Sequence, residues 1–159
     1  MLISSSPQAK RMATNVTFRS YVSTDKSVRL KLFEANCPEF FAPNERVDYA
    51  EFLDASPLSY ELCLVNGEVV GAFGLSENGL QQSSLKWVLL NPNFQGMGIG
   101  SAIMNRISAV ALQVGARLVK IAASHKSAPF VVNFGAIEIA AMENGWGPGM
   151  HRIDMELHL

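Results

Sequence analysis

Three glycines at alternate positions mark the part of the chain best suited to chemistry. They are Gly96, Gly98 and Gly100, and they stand between an apolar segment ending at Leu90 and a helix-patterned segment beginning at Ile99. The first main-chain N–H groups of a helix have no intrahelical acceptor and lie at the positive end of the helix dipole. Glycines there let the backbone approach a phosphate closely and adopt positive φ angles. The pattern therefore predicts that main-chain amides bind a pyrophosphate.

Three phosphate-binding motifs can be compared with this stretch. A P-loop requires a lysine after its last glycine, and none follows Gly100. A dinucleotide-binding fingerprint needs G-x-G-x-x-G and an acidic residue about 20 positions later, whereas the spacing here is G-x-G-x-G and Lys120 stands near that position. The third motif, Q-x-x-G-x-G, is matched by Gln95, Gly98 and Gly100. Between a strand and a long helix, this pattern resembles the Gcn5-related N-acetyltransferase (GNAT) family.

A second stretch supports the resemblance. Residues 127–130, followed by Phe134, Gly135 and Ala136, are similar to the family's short helix and the glycine-apolar pair after it. The resemblance extends over residues 16–159 and is strongest over residues 88–114. For the glycines taken alone, an ordinary glycine-rich connection is the alternative interpretation.

The predicted elements follow the order β-α-α-β-β-β-α-β-α-β-β. Period-two alternation and Asn-Gly turns predict strands over residues 16–22, 60–65, 68–75, 85–90, 118–123, 137–142 and 152–157. Apolar spacing with capping and stop residues predicts helices over residues 28–35, 44–57, 99–114 and 127–135. This order predicts an α/β fold (α+β by some schemes) with a mixed sheet. The resemblance implies a mostly antiparallel central sheet of about seven strands flanked by about four helices.

Composition limits the class of protein. With 159 residues, 48% hydrophobic and 17% charged, the chain is long and apolar enough for one domain with a core, and it is not a disordered tail. We expect a flexible lead-in over residues 1–15 and a single domain over residues 16–159. A net charge of −1 argues against a nucleic-acid partner, and no apolar run approaches the roughly 20 residues that span a membrane.

Two cysteines, Cys37 and Cys63, form neither a CxxC motif nor a Cys/His cluster with metal-ligand spacing. We therefore expect no metal, and reduced thiols in the cytoplasm.

The resemblance implies acetyl-CoA as co-substrate. Main-chain groups at the end of the fourth strand correspond to the family's contacts with the pantetheine arm, and the glycine stretch corresponds to its pyrophosphate contacts. Ser124 falls where the family often has a polar contact to CoA, although a plain strand-end residue is an equal alternative. The implied cofactor-binding residues are Val88, Leu89, Leu90, Gln95, Gly96, Met97, Gly98, Ile99, Gly100, Ser101 and Ser124.

The implied reaction is direct transfer of an acetyl group to an amine of a small molecule or peptide. The family's usual tyrosine acid corresponds to Val131 and its usual glutamate base to Ser84, so the common acid–base pair is missing here. His125, Glu77 and Ser84 are the remaining catalytic candidates, with a solvated loop and a hairpin charge as alternatives for the first two. The missing pair motivates a second hypothesis, an acyl-CoA-binding regulatory or sensor domain without turnover.

The resemblance implies that residues 25–57 and 143–151 shape the acceptor site. Core packing is the expectation for each of Phe33, Phe40, Phe41 and Tyr49, whereas a loop tryptophan such as Trp146 is typical of an interaction site. Four acidic residues can attract a cationic amine or form a solvated helix face: Glu39, Glu45, Asp48 and Glu51. Exposed sheet edges leave a homodimer open as an alternative to a monomer.

Overall fold

The structure is a computed structural model, and it describes residues 15–55, 59–77, 79–94 and 96–159. Within these residues the chain forms seven strands: β1 (Val16–Ser20), β2 (Tyr60–Val65), β3 (Glu68–Glu77), β4 (Gln82–Leu90), β5 (Leu118–Ser124), β6 (Ile137–Gly147) and β7 (Met150–His158). The same residues form four α-helices: α1 (Lys26–Ala35), α2 (Glu45–Asp54), α3 (Ile99–Gln113) and α4 (Ala128–Val132). The predicted order and α/β class are confirmed. The expected lead-in falls almost entirely outside the described residues.

The seven strands form one sheet in the order β1-β2-β3-β4-β5-β7-β6. All neighbours are antiparallel except β4 and β5, which pair in parallel. That parallel pairing joins Gln82–Leu85 to Leu118–Ile121 and then stops, although β4 continues to Leu90 and β5 to Ser124. The sheet therefore opens in its middle, and the second half of β4 has no ladder partner on its β5 side.

A bulge lies in the unpaired half of β4. Ala72 pairs with Leu89 and Gly74 with Lys86, so β4 contains one more residue than β3 at this point. The bulged residue Trp87 has φ +47°, an uncommon angle for a bulky side chain. The hydroxyl of Tyr60 donates a hydrogen bond of 2.8 Å to the Trp87 carbonyl oxygen, which holds the bulge in place.

Helices cover the two faces of the sheet. Helix α3 buries Ile99, Ile103 and Ile107, spaced four residues apart, against one face, and α4 packs on the same side. Helices α1 and α2 cover the other face through residues such as Leu32 and Tyr49. Among the described residues, no helix combines the length and apolarity needed to cross a membrane.

The face that α1 buries differs from the sequence prediction. Apolar spacing predicted the helix over residues 28–35, but the apolar side chain of Val28 is 46% exposed, and α1 buries Arg29, Leu32 and Phe33. These three residues share one helix face because they are three and four positions apart. The Arg29 guanidinium is fully buried and donates to the Gly71 carbonyl at 3.3 Å.

The predicted loop over residues 143–149 is mostly strand, which corrects the expectation. Strand β6 continues to Gly147, and only the turn between Gly147 and Met150 separates it from β7. The register shifts within this stretch, where Asn144 has φ +53°. The side-chain Oδ1 of Asn144 accepts from the Gly149 N–H, and the main-chain N–H of Asn144 donates to Nδ1 of His151. These bonds let a glycine-rich segment continue the hairpin.

Candidate functional site

A cavity of about 1300 Å³ occupies the gap where β4 and β5 separate. Its lining includes Gly98 and Gly100 at the start of α3, on one face of the sheet. It also includes Phe41 and Glu45, from the α1–α2 side, on the other face. The cavity therefore passes through the open part of the sheet, and ligands bound on opposite faces can meet inside it.

The N-terminus of α3 forms the first end of this cavity. Gly98 precedes the helix with φ +80°, and Gly96 has φ +78°. Among the described residues no side chain caps the helix, and its first turn contains no acidic residue, so this helix start suits an anion. A Cβ atom on Gly98 would have no neighbour within 4 Å among the described residues, so the space beside the backbone is open. These features fit a bound pyrophosphate.

The unpaired edge of β4 forms the middle of the cavity. Val88 and Leu90 line it from β4, and Ala122, Ala123 and Ser124 line it from β5. In the part of the chain that the structure describes, the main chain of β4 has no strand partner on this side beyond Leu85. An extended arm can therefore lie along this edge and use its main-chain groups, as an added strand does.

The structure places the predicted cofactor-binding residues unevenly around this cavity. Those that line it are Val88, Leu90, Gly96, Gly98, Gly100, Ser101 and Ser124. The side chains of Leu89 and Ile99 are buried in the core, and Met97 packs against the core, so any contact from these residues is through the main chain. The Ser124 hydroxyl accepts from the Ser127 N–H at 3.1 Å and thus supports the start of α4. Gln95 lies outside the described residues.

Of the three catalytic candidates, only Ser84 lines the cavity. Glu77 ends β3 and is exposed outside the cavity lining. The His125 ring lies 4.6 Å from the His151 ring, and its Nδ1 accepts from the His151 N–H at 3.1 Å, so this residue joins the β6–β7 hairpin to the end of β5. Val131 lines the cavity but has no ionisable group. The structure therefore brings neither a histidine nor the Glu77 carboxylate to the gap.

Glu45 lies at the second end of the cavity. Of the two alternatives that the sequence left for Glu45, a group that attracts a cationic amine or part of a solvated helix face, the second does not hold, because Glu45 is only 5% exposed and lines the cavity. Its Oε2 accepts from the Ala42 N–H at 2.8 Å, three residues back, as in a capping box. Burial raises its pKa to about 7, and the charge of Asp48 acts in the same direction. Pro43 and the possible N-cap Asn44 are the sequence signals that place Glu45 at a helix start.

Trp146 closes the cavity from the hairpin. Its indole N–H donates to the Ala123 carbonyl at 3.0 Å, and its own carbonyl accepts from the Asn44 side chain at 3.0 Å. The Arg152 guanidinium lies 5.3 Å from the ring centroid. Trp146 thus connects the end of β5 to the start of α2 across the gap.

Replacing Glu45 with glutamine is expected to change how stability depends on pH. Below pH 4.5 the carboxyl is protonated in both folded and unfolded chains and makes no difference. As pH rises, the unfolded chain ionises first, so folding is weakened until the folded pKa of about 7 is passed. The full effect is about 3 kcal/mol.

The Glu45→Gln variant loses this titration but keeps an oxygen for the Ala42 N–H. Relative to the wild type it is therefore expected to gain stability between pH 4.5 and about pH 8, as measured by urea unfolding. The exposed Glu51→Gln on the same helix is the control. Parallel pH profiles for the wild type and Glu45→Gln would contradict the assigned pKa.

Replacing Tyr60 with phenylalanine is expected to destabilise the β4 bulge. Tyr60 donates to the Trp87 carbonyl, so the Tyr49 hydroxyl, 2.7 Å away, donates to Tyr60. Tyr60→Phe removes both bonds and is expected to cost about 2–3 kcal/mol in urea unfolding. Tyr49→Phe leaves the bond to Trp87 and is expected to cost about 1 kcal/mol. Equal losses in the two variants would show that the Tyr60 bond does not hold the bulge.

The family profile described as the acetyltransferase (GNAT) family matches residues 29–135, which include the gap, the glycines and α4. The chain belongs to this family of acetyltransferases, which use acetyl-CoA as the acetyl donor. No curated protein matches the chain significantly. Among the described residues, no three His, Cys, Asp or Glu side chains are grouped as metal ligands.

Solved structures with the same fold include the following three proteins. Ard1 from Thermoplasma volcanium has a TM-score of 0.77 at 17% identity, over 92% of this chain and 99% of that one. The ribosomal-protein-S18-alanine N-acetyltransferase from Escherichia coli has a TM-score of 0.73 at 15% identity, over 90% and 93% of the two chains. YncA from Salmonella typhimurium, a putative acetyltransferase solved with acetyl-CoA, has a TM-score of 0.66 at 16% identity, over 92% and 95%. At these identities the likeness concerns the fold alone.

Proposed function

We propose that this protein is an N-acetyltransferase that transfers the acetyl group of acetyl-CoA by direct attack of an amine of a small molecule or a peptide. One observation carries the proposal: a single cavity passes through the sheet, with free helix amides at one end and a carboxyl group among aromatic side chains at the other. A donor and an acceptor bound on opposite faces are then held in one space, and orientation alone contributes several kcal/mol to catalysis.

Each part of the cavity has a separate task in this proposal. The amides of Gly98 to Ser101 hold the pyrophosphate, the free edge of β4 holds the pantetheine arm, and Trp146 with the start of α2 bounds the acceptor. Acetyl-CoA supplies an acetyl group activated as a thioester. A charged acceptor nitrogen has no lone pair, so it first gives up one proton to water in the cavity. The neutral nitrogen then forms the new C–N bond as the C–S bond breaks, and a second proton passes from it to the leaving sulfur. With valine at position 131, water in the cavity carries this proton.

The names of two similar structures refer to the two classes of acceptor, a peptide and a small molecule. One is named for the alanine of a ribosomal protein and another is described as a putative phosphinothricin N-acetyltransferase, each with a TM-score of 0.73. The fold therefore accommodates peptide and small-molecule amines, and the acceptor is decided by side chains at the second end of the cavity.

A second candidate is an acyl-CoA-binding sensor without turnover. It is favoured by Ser84 and Val131, which line the cavity at the positions where the family resemblance placed a base and an acid. Binding of acetyl-CoA uses main-chain groups and does not depend on either residue.

The two candidates differ in turnover. Acetyl-CoA binding is measured by calorimetry, and free thiol release from acetyl-CoA is then followed across a panel of primary amines and N-terminal peptides. Amine-dependent release of free thiol would confirm that the protein is an N-acetyltransferase. Tight acetyl-CoA binding with no release for any amine would favour the sensor, and stabilisation by NAD without acetyl-CoA binding would reject both.

We also infer a reducing compartment such as the cytoplasm. Both cysteines are free, and the thiol of Cys63 is buried, with its pKa raised by burial to about 11.

The outer edge of β6 has no strand partner among the described residues, and we propose as an alternative to a monomer that two copies pair at this edge. Sedimentation measurements separate monomer from dimer.

A further inference from the structure

The second end of the cavity combines aromatic rings with a carboxyl group. Phe40, Phe41, Trp87 and Trp146 line it, and Glu45 lies among them. The rings of Phe41 and Trp87 are stacked, with centroids 6.1 Å apart, and the Trp146 carbonyl is bonded to Asn44, the residue next to Glu45. A ligand at this end therefore meets apolar ring faces with one acidic group set into them.

The Glu45 carboxyl group uses only one of its oxygens within the fold. Oε2 accepts from the Ala42 N–H. Within the described part of the chain, no donor bonds to Oε1 and no basic side chain forms an ion pair with Glu45. Within the described residues, Oε1 is not one of the fully enclosed polar atoms that lack a partner, and Glu45 itself lines the cavity.

Charge makes this arrangement favourable for a cationic ligand. An ionised carboxylate on a residue that is only 5% exposed is unfavourable unless a cation or several donors accompany it. The nearby basic group on the hairpin, Arg152, is already bonded to Asp154 at 2.7 Å and lies over Trp146. A positively charged nitrogen from a ligand would satisfy Oε1, and the ring faces would add cation–π attraction.

We propose that Glu45 binds the positively charged nitrogen of the acceptor, and that the acceptor is a primary amine on a compact apolar or aromatic body. This inference rests on the proposed function and adds to it the class of acceptor. Glu45 then has two roles, accepting the Ala42 N–H and binding the acceptor nitrogen. A glutamine oxygen can accept the Ala42 N–H equally well but carries no charge, so Glu45→Gln separates the two roles.

The test compares Glu45→Gln with Glu51→Gln, the same chemical change at an exposed position of the same helix. Steady-state kinetics use 2-phenylethylamine, pentylamine and an N-terminal alanine peptide as acceptors. Glu45→Gln is expected to raise the KM of the best amine about 10- to 100-fold, since a charge-assisted hydrogen bond is lost. The KM of acetyl-CoA is expected to stay within about twofold, and Glu51→Gln is expected to match the wild type.

The pH dependence of the amine KM is a second test. It would not change if Glu45 only accepted the hydrogen bond from the Ala42 N–H. Alkylamines stay charged below about pH 8, whereas Glu45 ionises near its pKa of about 7, so the wild-type KM of the amine is expected to fall about tenfold from pH 6 to pH 8. Asp48 on α2 and Cys37 before α2 interact electrostatically with Glu45. The other ionisable groups that line the cavity are Lys86, Lys120, Lys126, Arg152, Asp154 and Glu156. All of them remain in Glu45→Gln, for which a flat profile is expected.

The outcomes distinguish the two proposals. If the wild type binds no acetyl-CoA or releases no thiol with any amine, the proposed function fails. If the wild type is active but Glu45→Gln and Glu51→Gln have the same amine KM and the same pH profile, Glu45 does not bind the acceptor nitrogen. The proposed N-acetyltransferase function is not affected by that result. A peptide or an uncharged acceptor preferred over both small amines would overturn the acceptor class.

Discussion

Replacing Gly98 with aspartate is expected to weaken acetyl-CoA binding by about 100-fold or more while the fold survives. Gly98 has φ +80°, which costs an L-residue about 1–2 kcal/mol, so the main-chain amides lose their present positions. The new carboxylate also places a negative charge at the positive end of α3, where the structure has no acidic side chain in the first turn. Together these effects reach the roughly 2.7 kcal/mol that correspond to 100-fold. Calorimetry with CoA and acetyl-CoA measures the change.

Gly67→Asp is the matched control for this prediction. Gly67 has φ +84° in the turn between β2 and β3, and a Cβ atom there also meets nothing within 4 Å among the described residues. The variant therefore introduces the same strain and the same charge away from the cavity lining. We expect it to lose similar stability and keep acetyl-CoA affinity. Unchanged affinity in Gly98→Asp would remove the pyrophosphate assignment of the α3 N-terminus.

Replacing Trp146 with alanine is expected to raise the acceptor KM by at least about tenfold, with acetyl-CoA affinity changed by less than about threefold. The indole ring forms a wall of the second end of the cavity, and its N–H joins the hairpin to the Ala123 carbonyl at 3.0 Å. Alanine removes both the wall and this bond, so the hairpin is held less firmly over the gap. Steady-state kinetics with each substrate varied in turn separates the two effects.

Trp146→Phe distinguishes the ring from the hydrogen bond. Phenylalanine keeps an aromatic wall and loses the donor to Ala123, so we expect a KM between those of the wild type and the alanine variant. An acceptor KM in Trp146→Ala equal to that of the wild type would show that the hairpin does not bound the acceptor site.

Much of the fold could be predicted from local pattern. The Asn66-Gly67 turn, the four-residue spacing of Ile99, Ile103 and Ile107, and the stop at Gly115 are local signals, and the structure places a hairpin and a helix there. The start of α3 at the glycines was predictable for the same reason, because helix ends are decided by nearby residues.

Other features depend on residues far apart in the chain and could not be predicted in this way. Arg29 faces inward because Gly71, 42 residues later, accepts its hydrogen bond. The 143–149 stretch continues as strand because Asn144 bonds to Gly149 and His151 across the hairpin. Trp87 adopts φ +47° with its carbonyl bound to Tyr60, a strand away.

By itself, the sequence determined the family resemblance, the order of elements and the position of the anion-binding glycines, because each depends on short-range spacing along the chain. Only the tertiary structure decided what meets those glycines across the sheet. In the tertiary structure β4 and β5 separate after Leu85, and Glu45 is buried in the lining of the cavity between them. His125 contacts His151 of the β6–β7 hairpin instead of the cavity. The burial of a charge depends on which distant elements exclude water from it, and that is set by packing.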